Sequence, residues 1–508
     1  MPSRPDCTKG DDVAPPLGRQ RVRVTFGALM LVMLLASLDQ TIVSTALPTI
    51  VGEFGGLAHL SWIVTAYLLA TTVVTPIYGK LGDLFGRKIV LQAAILVFLL
   101  GSALCGLSRS MTQLIGFRAL QGLGGGGLIV TTMAVIGDII TPRERGRYQG
   151  IFGGVWGLST VLGPLIGGFF VEHLSWRWIF YVNLPLGFLA VAVIGAIFTP
   201  PGTRRRPAID LAGAALLAAA LTGLILFTSL GGNTFAWNSA PIAGMVAITV
   251  AGTLGFILVE RLATEPILPL RLFQNRIVAV SCAVGFVVGL AMFGSVTYMP
   301  VYLQVVTGVS PLRAGLQLTP MMAGMLVTSI ATGRTISRIG RYRLFPIIGT
   351  AISTVGLGLL ATLGAASSPW TASGYMLVLG LGLGMVMQVL VLAAQNAVEF
   401  RDLGVATSGT TLFRSIGGAV GVAVFGAIFA AGIAVQLAGR MPSGTPLPGA
   451  IGPAAIAALP PALRTLYRDA FTAALHPVFL SAACLAALGF VLTCFLQEMP
   501  LRGPARRP

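Results

Sequence analysis

Apolar runs of about 20 residues, the length that crosses a bilayer as a helix, alternate with short polar turns along most of the chain. They predict fourteen membrane spans at 24–46, 60–79, 89–108, 112–139, 149–171, 178–198, 210–231, 240–260, 277–303, 313–334, 344–364, 373–396, 408–433 and 475–496. The polar, Pro-rich stretch through Gln20 is expected to be disordered. The apolar run after Arg23 lacks a small-residue cleavage site and reads as a retained first span. The segment 434–474, rich in Ala, Pro and Gly, reads as the longest loop on the far side.

Lys and Arg crowd the loops on the N-terminal side and are sparse on the other, which predicts both termini in the cytoplasm of a cell-membrane protein. Composition agrees with a polytopic class: 55% of the 508 residues are hydrophobic and 10% charged, with a mean hydropathy of +0.88. The net charge of +17 sits in short loops between apolar runs, which argues for orientation in lipid and against nucleic acid. Five scattered cysteines and three distant histidines predict no metal site, disulfide framework or cofactor.

The chain repeats itself in one direction. Gly122, Gly124 and Gly126, followed by Arg143, Glu144 and Gly146, recur as Gly380, Gly382 and Gly384, followed by Arg401, Asp402 and Gly404. Likewise Gly79 and Gly86-Arg87 recur as Gly333 and Gly340-Arg341. Spans 1–6 therefore map onto spans 9–14, with spans 7 and 8 between. Parallel six-span halves are a transporter architecture, with the site expected between them near the midplane. The expected divisions are a tail at 1–23, a bundle at 24–198, two linker helices at 199–260, a bundle at 261–496 and a tail at 497–508.

The charged turn from Gly79 to Lys88 resembles the loop between helices 2 and 3 of the major facilitator superfamily. The six-plus-two-plus-six layout is similar to that of its fourteen-helix drug:proton antiporters. Leu38 to Pro48 resembles the first-helix motif of that subgroup, Arg118 to Gly124 the fourth-helix motif, and Gly157 with Gly163-Pro164 and Gly167-Gly168 the fifth-helix antiporter motif. The stretch from Trp176 to Gly187 is also typical of it. The resemblance implies an all-α major-facilitator fold of two six-helix bundles plus two inserted helices. It further implies proton-coupled export of hydrophobic or monocationic small molecules, by a monomer and without enzymatic chemistry. A dedicated metabolite, lipid or antibiotic exporter is the alternative in the same fold. No Walker loop, nucleophile elbow or zinc-protease motif suggests an enzyme.

Asp39 is the one carboxylate deep in a span of the first half. Burial penalises its charged form, which suits a proton carrier. Arg118 lies within span 4, stays charged and needs a partner; the resemblance assigns it to proton transfer with Asp39. Its repeat counterpart is Met376, so the charge is not an architectural need. Asp83, Arg87 and Asp138 form a second constellation, which the resemblance reads, with Gly79, Gly86 and Lys88, as a gate latch. Their counterparts include Ser337 for Asp83 and Asn396 for Asp138, so the two acids are lost together. Trp62, Tyr67, Gln121, Trp156, Phe293, Tyr298, Tyr302 and Gln388 are candidate cavity contacts, since aromatic faces attract organic cations. Arg414 in span 13 faces the cavity or snorkels to the cytoplasmic edge, and the second reading is favoured.

Overall fold

Hydrocarbon offers no partner to a backbone N–H or C=O, so apolar runs close their hydrogen bonds internally as helices. The computed structural model describes residues 19–54, 60–140, 142–197, 210–232, 234–309, 311–437 and 460–501. In chain order its α-helices are α1 (Arg19–Phe54), α2 (Leu60–Phe85), α3 (Arg87–Leu107), α4 (Met111–Ile139), α5 (Pro142–His173), α6 (Trp178–Tyr181) and α7 (Asn183–Ile197). They continue with α8 (Leu211–Leu230), α9 (Ala240–Leu262), α10 (Arg276–Val296), α11 (Met299–Val305), α12 (Pro311–Gln317) and α13 (Thr319–Ile339). The last are α14 (Leu344–Leu360), α15 (Pro369–Asn396), α16 (Leu403–Leu437) and α17 (Pro461–Cys494).

Twelve helical stretches among the described residues are long and apolar enough to cross a membrane, where the sequence predicts fourteen. The other two expected spans correspond to α5, which opens with Arg143, Glu144, Arg145 and Arg147, and to α14, which has only 17 residues. Two expected spans are broken. That at 178–198 is divided into α6 and α7 around Val182, and that at 277–303 into α10 and α11, with Pro300 at the start of the second piece. Proline lacks the N–H that would continue the ladder, so it sits where a helix begins. The final helix starts at Pro461, well before the expected 475. Its extra turns carry Tyr467 and Phe471, buried one turn apart on one face. The first tail through 18, most of the 434–474 loop and the tail after 501 lie outside the described residues.

Packing follows the sequence repeat. α2 and α3 lie against α4, as their counterparts α13 and α14 lie against α15. α5 lies against α1, as α16 lies against α10. The glycine runs do the same work in both copies. A side chain at Gly122, Gly124 or Gly126 would strike the backbone of Tyr67, Phe98 or Thr71, and one at Gly380, Gly382 or Gly384 that of Met321, Gly349 or Met325. These are close-approach surfaces between helices. The two most extensive contacts between α1–α7 and α10–α17 are α2 with α16 and α5 with α13, and they are counterparts of each other. α8 and α9 pair, with α8 against α2 and α16. α9 leaves Val246, Ile248, Val250, Leu254 and Leu258 exposed, as a lipid-facing helix does.

Candidate functional site

Asp39 lies on α1 and is completely buried. Arg118 and Gln121 lie one turn apart on α4 and so point the same way. The Arg118 guanidinium donates to Asp39 Oδ2 at 2.7 Å and to Gln121 Oε1 at 2.7 Å. Gln121 Nε2 donates to Asp39 Oδ1 at 2.8 Å. Asn183 Nδ2 donates to the same oxygen at 3.3 Å and to Ser102 Oγ at 2.9 Å. Arg118 also donates through Nε to the Ile63 carbonyl at 3.4 Å, and its guanidinium lies 4.1 Å from the centre of the Tyr67 ring. Both charges are thus paired and hydrogen-bonded, the condition under which buried charges persist.

Asn183 is the member the sequence reading missed as a site residue. It opens α7, just past the break at Val182, and that break turns its amide toward Ser102 and Asp39. The available signal was the Trp176–Gly187 stretch, where an amide stands among apolar residues.

The second constellation lies where α2 turns into α3. Gly86 has φ of 91°, a conformation that glycine alone adopts without strain. Its counterpart Gly340 has φ of 75°. Arg87 donates to Asp83 at 2.7 Å, to the Ala134 carbonyl at 2.7 Å, and to Asp138. The side chains of Asp83, Arg87 and Asp138 are 4%, 5% and 10% exposed, so this is an interior network and not a surface ion pair. Asp83 also reaches across to α16: its oxygens accept the backbone N–H groups of Gly404 and Val405, both at 3.1 Å. Those are unpaired donors at a positive helix end, which a carboxylate satisfies. Gly79 lets α2 approach Gly404 and Ser408 closely. Lys80 pairs with Glu265 at 2.7 Å, and Lys88 donates to the Gly195 carbonyl at 2.8 Å.

The repeat-related position carries a neutral group and makes a lesser contact. Ser337, in the place of Asp83, accepts the backbone N–H of Arg147 of α5 at 3.2 Å. Gly333, in the place of Gly79, packs on the Gly146 backbone.

In α5, Gly163 meets Thr41 of α1 and Gly157 approaches Met322 of α13. Ser37 and Ser159 hydroxyls share a hydrogen bond at 2.6 Å, and Thr41 donates to the Ser159 carbonyl at 2.9 Å. Pro164 lies within the same helix, Gly167 is buried, and Gly168 faces open space. The motif thus lies along two contacts, with α1 and with α13.

The eight cavity candidates do not gather in one place. Tyr67 and Gln121 belong to the Asp39 network. Tyr302 is fully buried, with its hydroxyl donating to the Gly364 carbonyl at 2.9 Å. Tyr298 packs on Phe429, ring centres 5.1 Å apart. Gln388 lines a small cavity with Ser329 between α5, α13 and α15. Trp62, Trp156 and Phe293 are partly buried. Arg414 does not snorkel. It stands eleven residues into α16, about 16 Å along the axis, and lines an interior cavity between α10, α15 and α16.

Residues 29–422 match the family model of the Major Facilitator Superfamily. The chain is 38% identical over 519 residues to "Multidrug transporter protein MdtP" of Bacillus subtilis, covering 95% of each. It is 44% identical over 490 residues to an uncharacterized MFS-type transporter of Mycobacterium tuberculosis, covering 96% of this chain and 71% of that one. Among solved structures, the human organic anion transporter MFSD10 superposes with a TM-score of 0.63 at 15% identity, covering 93% of this chain and 99% of that one. The proton:xylose symporter XylE gives 0.62 at 14%, covering 95% and 98%. At those identities the likeness is one of fold.

Proposed function

The chain belongs to the major facilitator superfamily and is a multi-pass membrane transporter, not an enzyme, and from that premise we propose that it exports amphipathic small molecules in exchange for protons by alternating access. The observation that carries this reading is the buried Asp39–Arg118 pair. Relatives named as multidrug transporters and efflux pumps support the direction of transport and the substrate class.

In this reading α5 and α14 join the twelve apolar stretches to give fourteen spans. Residues 24–198 and 261–496 act as two bundles, with 199–260 as linker helices. The Lys and Arg bias places both termini in the cytoplasm of the cell membrane, and the working unit is one chain. Asp83, Arg87 and Asp138 hold the state closed at the end bearing the Gly79–Lys88 turn.

A proton arriving on Asp39 removes the charge that Arg118 pairs with. Arg118 keeps Gln121 and the Ile63 carbonyl, and α1 is released from α4. Losing the proton restores the pair. The coupling is therefore a change of partner at one carboxylate, transmitted through α1 to α5 and thence to α13. A proton falling through 100 mV contributes about 2.3 kcal/mol, enough for a roughly 40-fold substrate gradient. Span 313–334 holds no acid, so the single deep carboxylate favours neutral or monocationic compounds over dications.

The test is a broad compound-susceptibility panel in a pump-deficient host, with wild type beside Asp39→Asn. Dissipating the proton gradient should raise compound accumulation in wild-type cells, and Asp39→Asn should match the empty vector. Normal export by Asp39→Asn would sink the mechanism. A profile restricted to one compound would favour a dedicated exporter in the same fold.

A further inference from the structure

Arg414 is the second arginine at membrane depth, and unlike Arg118 it faces no acid among the described residues. Arg414 is half-buried; a guanidinium at that depth without an acid is costly, and such charges pair, reach water or mark a ligand path. Its open side gives on a cavity lined by Ser281, Gly285 and Val288 of α10, Val386, Met387, Leu390 and Val391 of α15, and Thr410 of α16. The cavity is small. One of its features is independent of the arginine. Ser281 is completely buried, yet its hydroxyl has no hydrogen-bond partner among the described residues. Thr410 is already committed to the Ala406 and Thr407 carbonyls, at 3.1 and 2.9 Å.

We propose that Arg414 and Ser281 form an anion-reading subsite, which takes the carboxylate of an amphipathic substrate whose apolar body lies against Val288, Val386, Met387, Leu390 and Val391. The guanidinium fork matches a carboxylate, and the free hydroxyl supplies a further donor. Aliphatic and thioether walls suit a flat or irregular apolar body. The proposal rests on the exporter reading and widens its substrate class beyond neutral and monocationic compounds: a molecule with a carboxylate, alone or as a zwitterion, is bound here in preference to its ester.

The test uses purified full-length protein in detergent and three probes with one ring system: 1-pyrenebutyrate, its methyl ester and 1-pyrenebutylamine. Binding is followed by fluorescence for wild type, Arg414→Gln, Arg414→Lys and Ser281→Ala. Wild type should bind the carboxylate at least ~10-fold tighter than the ester, the scale of a charge-assisted hydrogen bond. Arg414→Gln should abolish that preference while changing ester affinity less than ~3-fold. Arg414→Lys, which keeps the charge but not the fork, should lose part of it, and so should Ser281→Ala. Equal wild-type affinity for acid and ester overturns the proposal whether or not the variants fold. So does equal weakening of all three probes by Arg414→Gln, the mark of a structural residue. Anionic lipid is the other source of such a group: if phosphatidylglycerol in nanodiscs displaces pyrenebutyrate and no free carboxylate competes with it, the subsite reads a headgroup and the substrate assignment fails. Proton-driven uptake into proteoliposomes separates the two readings. Arg414-dependent binding without proton-driven transport leaves the subsite standing and overturns the exporter.

Discussion

The hydroxyl of Ser337 accepts the backbone N–H of Arg147 at 3.2 Å, the position that Asp83 holds toward Val405 in the other copy of the repeat. One copy sets a charge on two N–H groups at the helix end, and the other a neutral oxygen on one N–H further along its helix. Bonds to a charged group contribute about 1.5–3 kcal/mol and neutral ones about 0.5–1.5. Asp83→Asn should therefore open the α2–α16 contact more than Ser337→Ala opens the α5–α13 contact. Cross-linking rates of cysteine pairs placed across each contact would rank them, and the reverse order would refute the assignment. Ligand affinity measured in one trapped state should be little changed by either substitution.

Breaking the buried Asp39–Arg118 pair from one side strands a charge. Such losses cost about 3–5 kcal/mol, whereas removing both charges is often neutral. Asp39→Asn and Arg118→Gln should each lower the thermal unfolding midpoint in detergent. The double variant should recover most of it while still failing to export. A double variant less stable than both single ones would show that the pair is not the unit.

Asn183→Ala removes one donor from Asp39 and one from Ser102 and leaves the pair itself intact. A loss of about 1–2 kcal/mol is expected for a buried bond of this kind. Coupling should suffer more than folding: proton-driven export should fall while the variant remains monodisperse on size exclusion. Wild-type export by this variant would remove Asn183 from the site.

Gly86 and Gly340 adopt φ values of 91° and 75°. Gly340 is left-handed helical (φ 75°, ψ 13°) and alanine there should cost about 1–2 kcal/mol, because its Cβ crowds the carbonyl; Gly86 (φ 91°, ψ 131°) lies outside that region, and alanine there should cost more. No heavy atom lies within 4 Å of a Cβ added at either position, so the penalty is conformational and should be larger at Gly86. Equal unfolding midpoints for the two variants would refute that ranking.

Glu53, past the apolar stretch of α1, accepts from Arg177 at 2.8 Å and from Trp176 Nε1 at 2.6 Å. The Arg177 hydrogen bond, then that of Trp176, holds its carboxyl below the usual carboxylate range. A lowered value in the folded state means the contact stabilises above the unfolded pKa and is lost as pH falls through the folded one. Because Glu53 is 42% exposed, the effect is small, at most about 1 kcal/mol. Indole fluorescence of Trp176 should shift on acidification in wild type and not in Glu53→Gln.

The sequence by itself determined the helices, their repeat and the residues worth watching. Apolar length fixes where a chain can cross hydrocarbon, and a charge inside such a run is conspicuous because it is expensive; Asp39 and Arg118 stand out for that reason. Paired glycines announced Gly86 and Gly340, since a tight turn between two long helices needs them. Tertiary structure decided which of these meet. Asp39 and Arg118 lie 79 residues apart, and whether they touch depends on how α1 packs on α4. Asn183 joins them only because the chain breaks at Val182, a bend that composition does not encode. Arg414 reads as a snorkelling residue in one dimension, because its neighbours in sequence say nothing of the helices opposite. Depth along α16 and the walls of α10 and α15 put it inside. Hydrophobicity is a property of each segment, whereas a partner belongs to the way segments are packed.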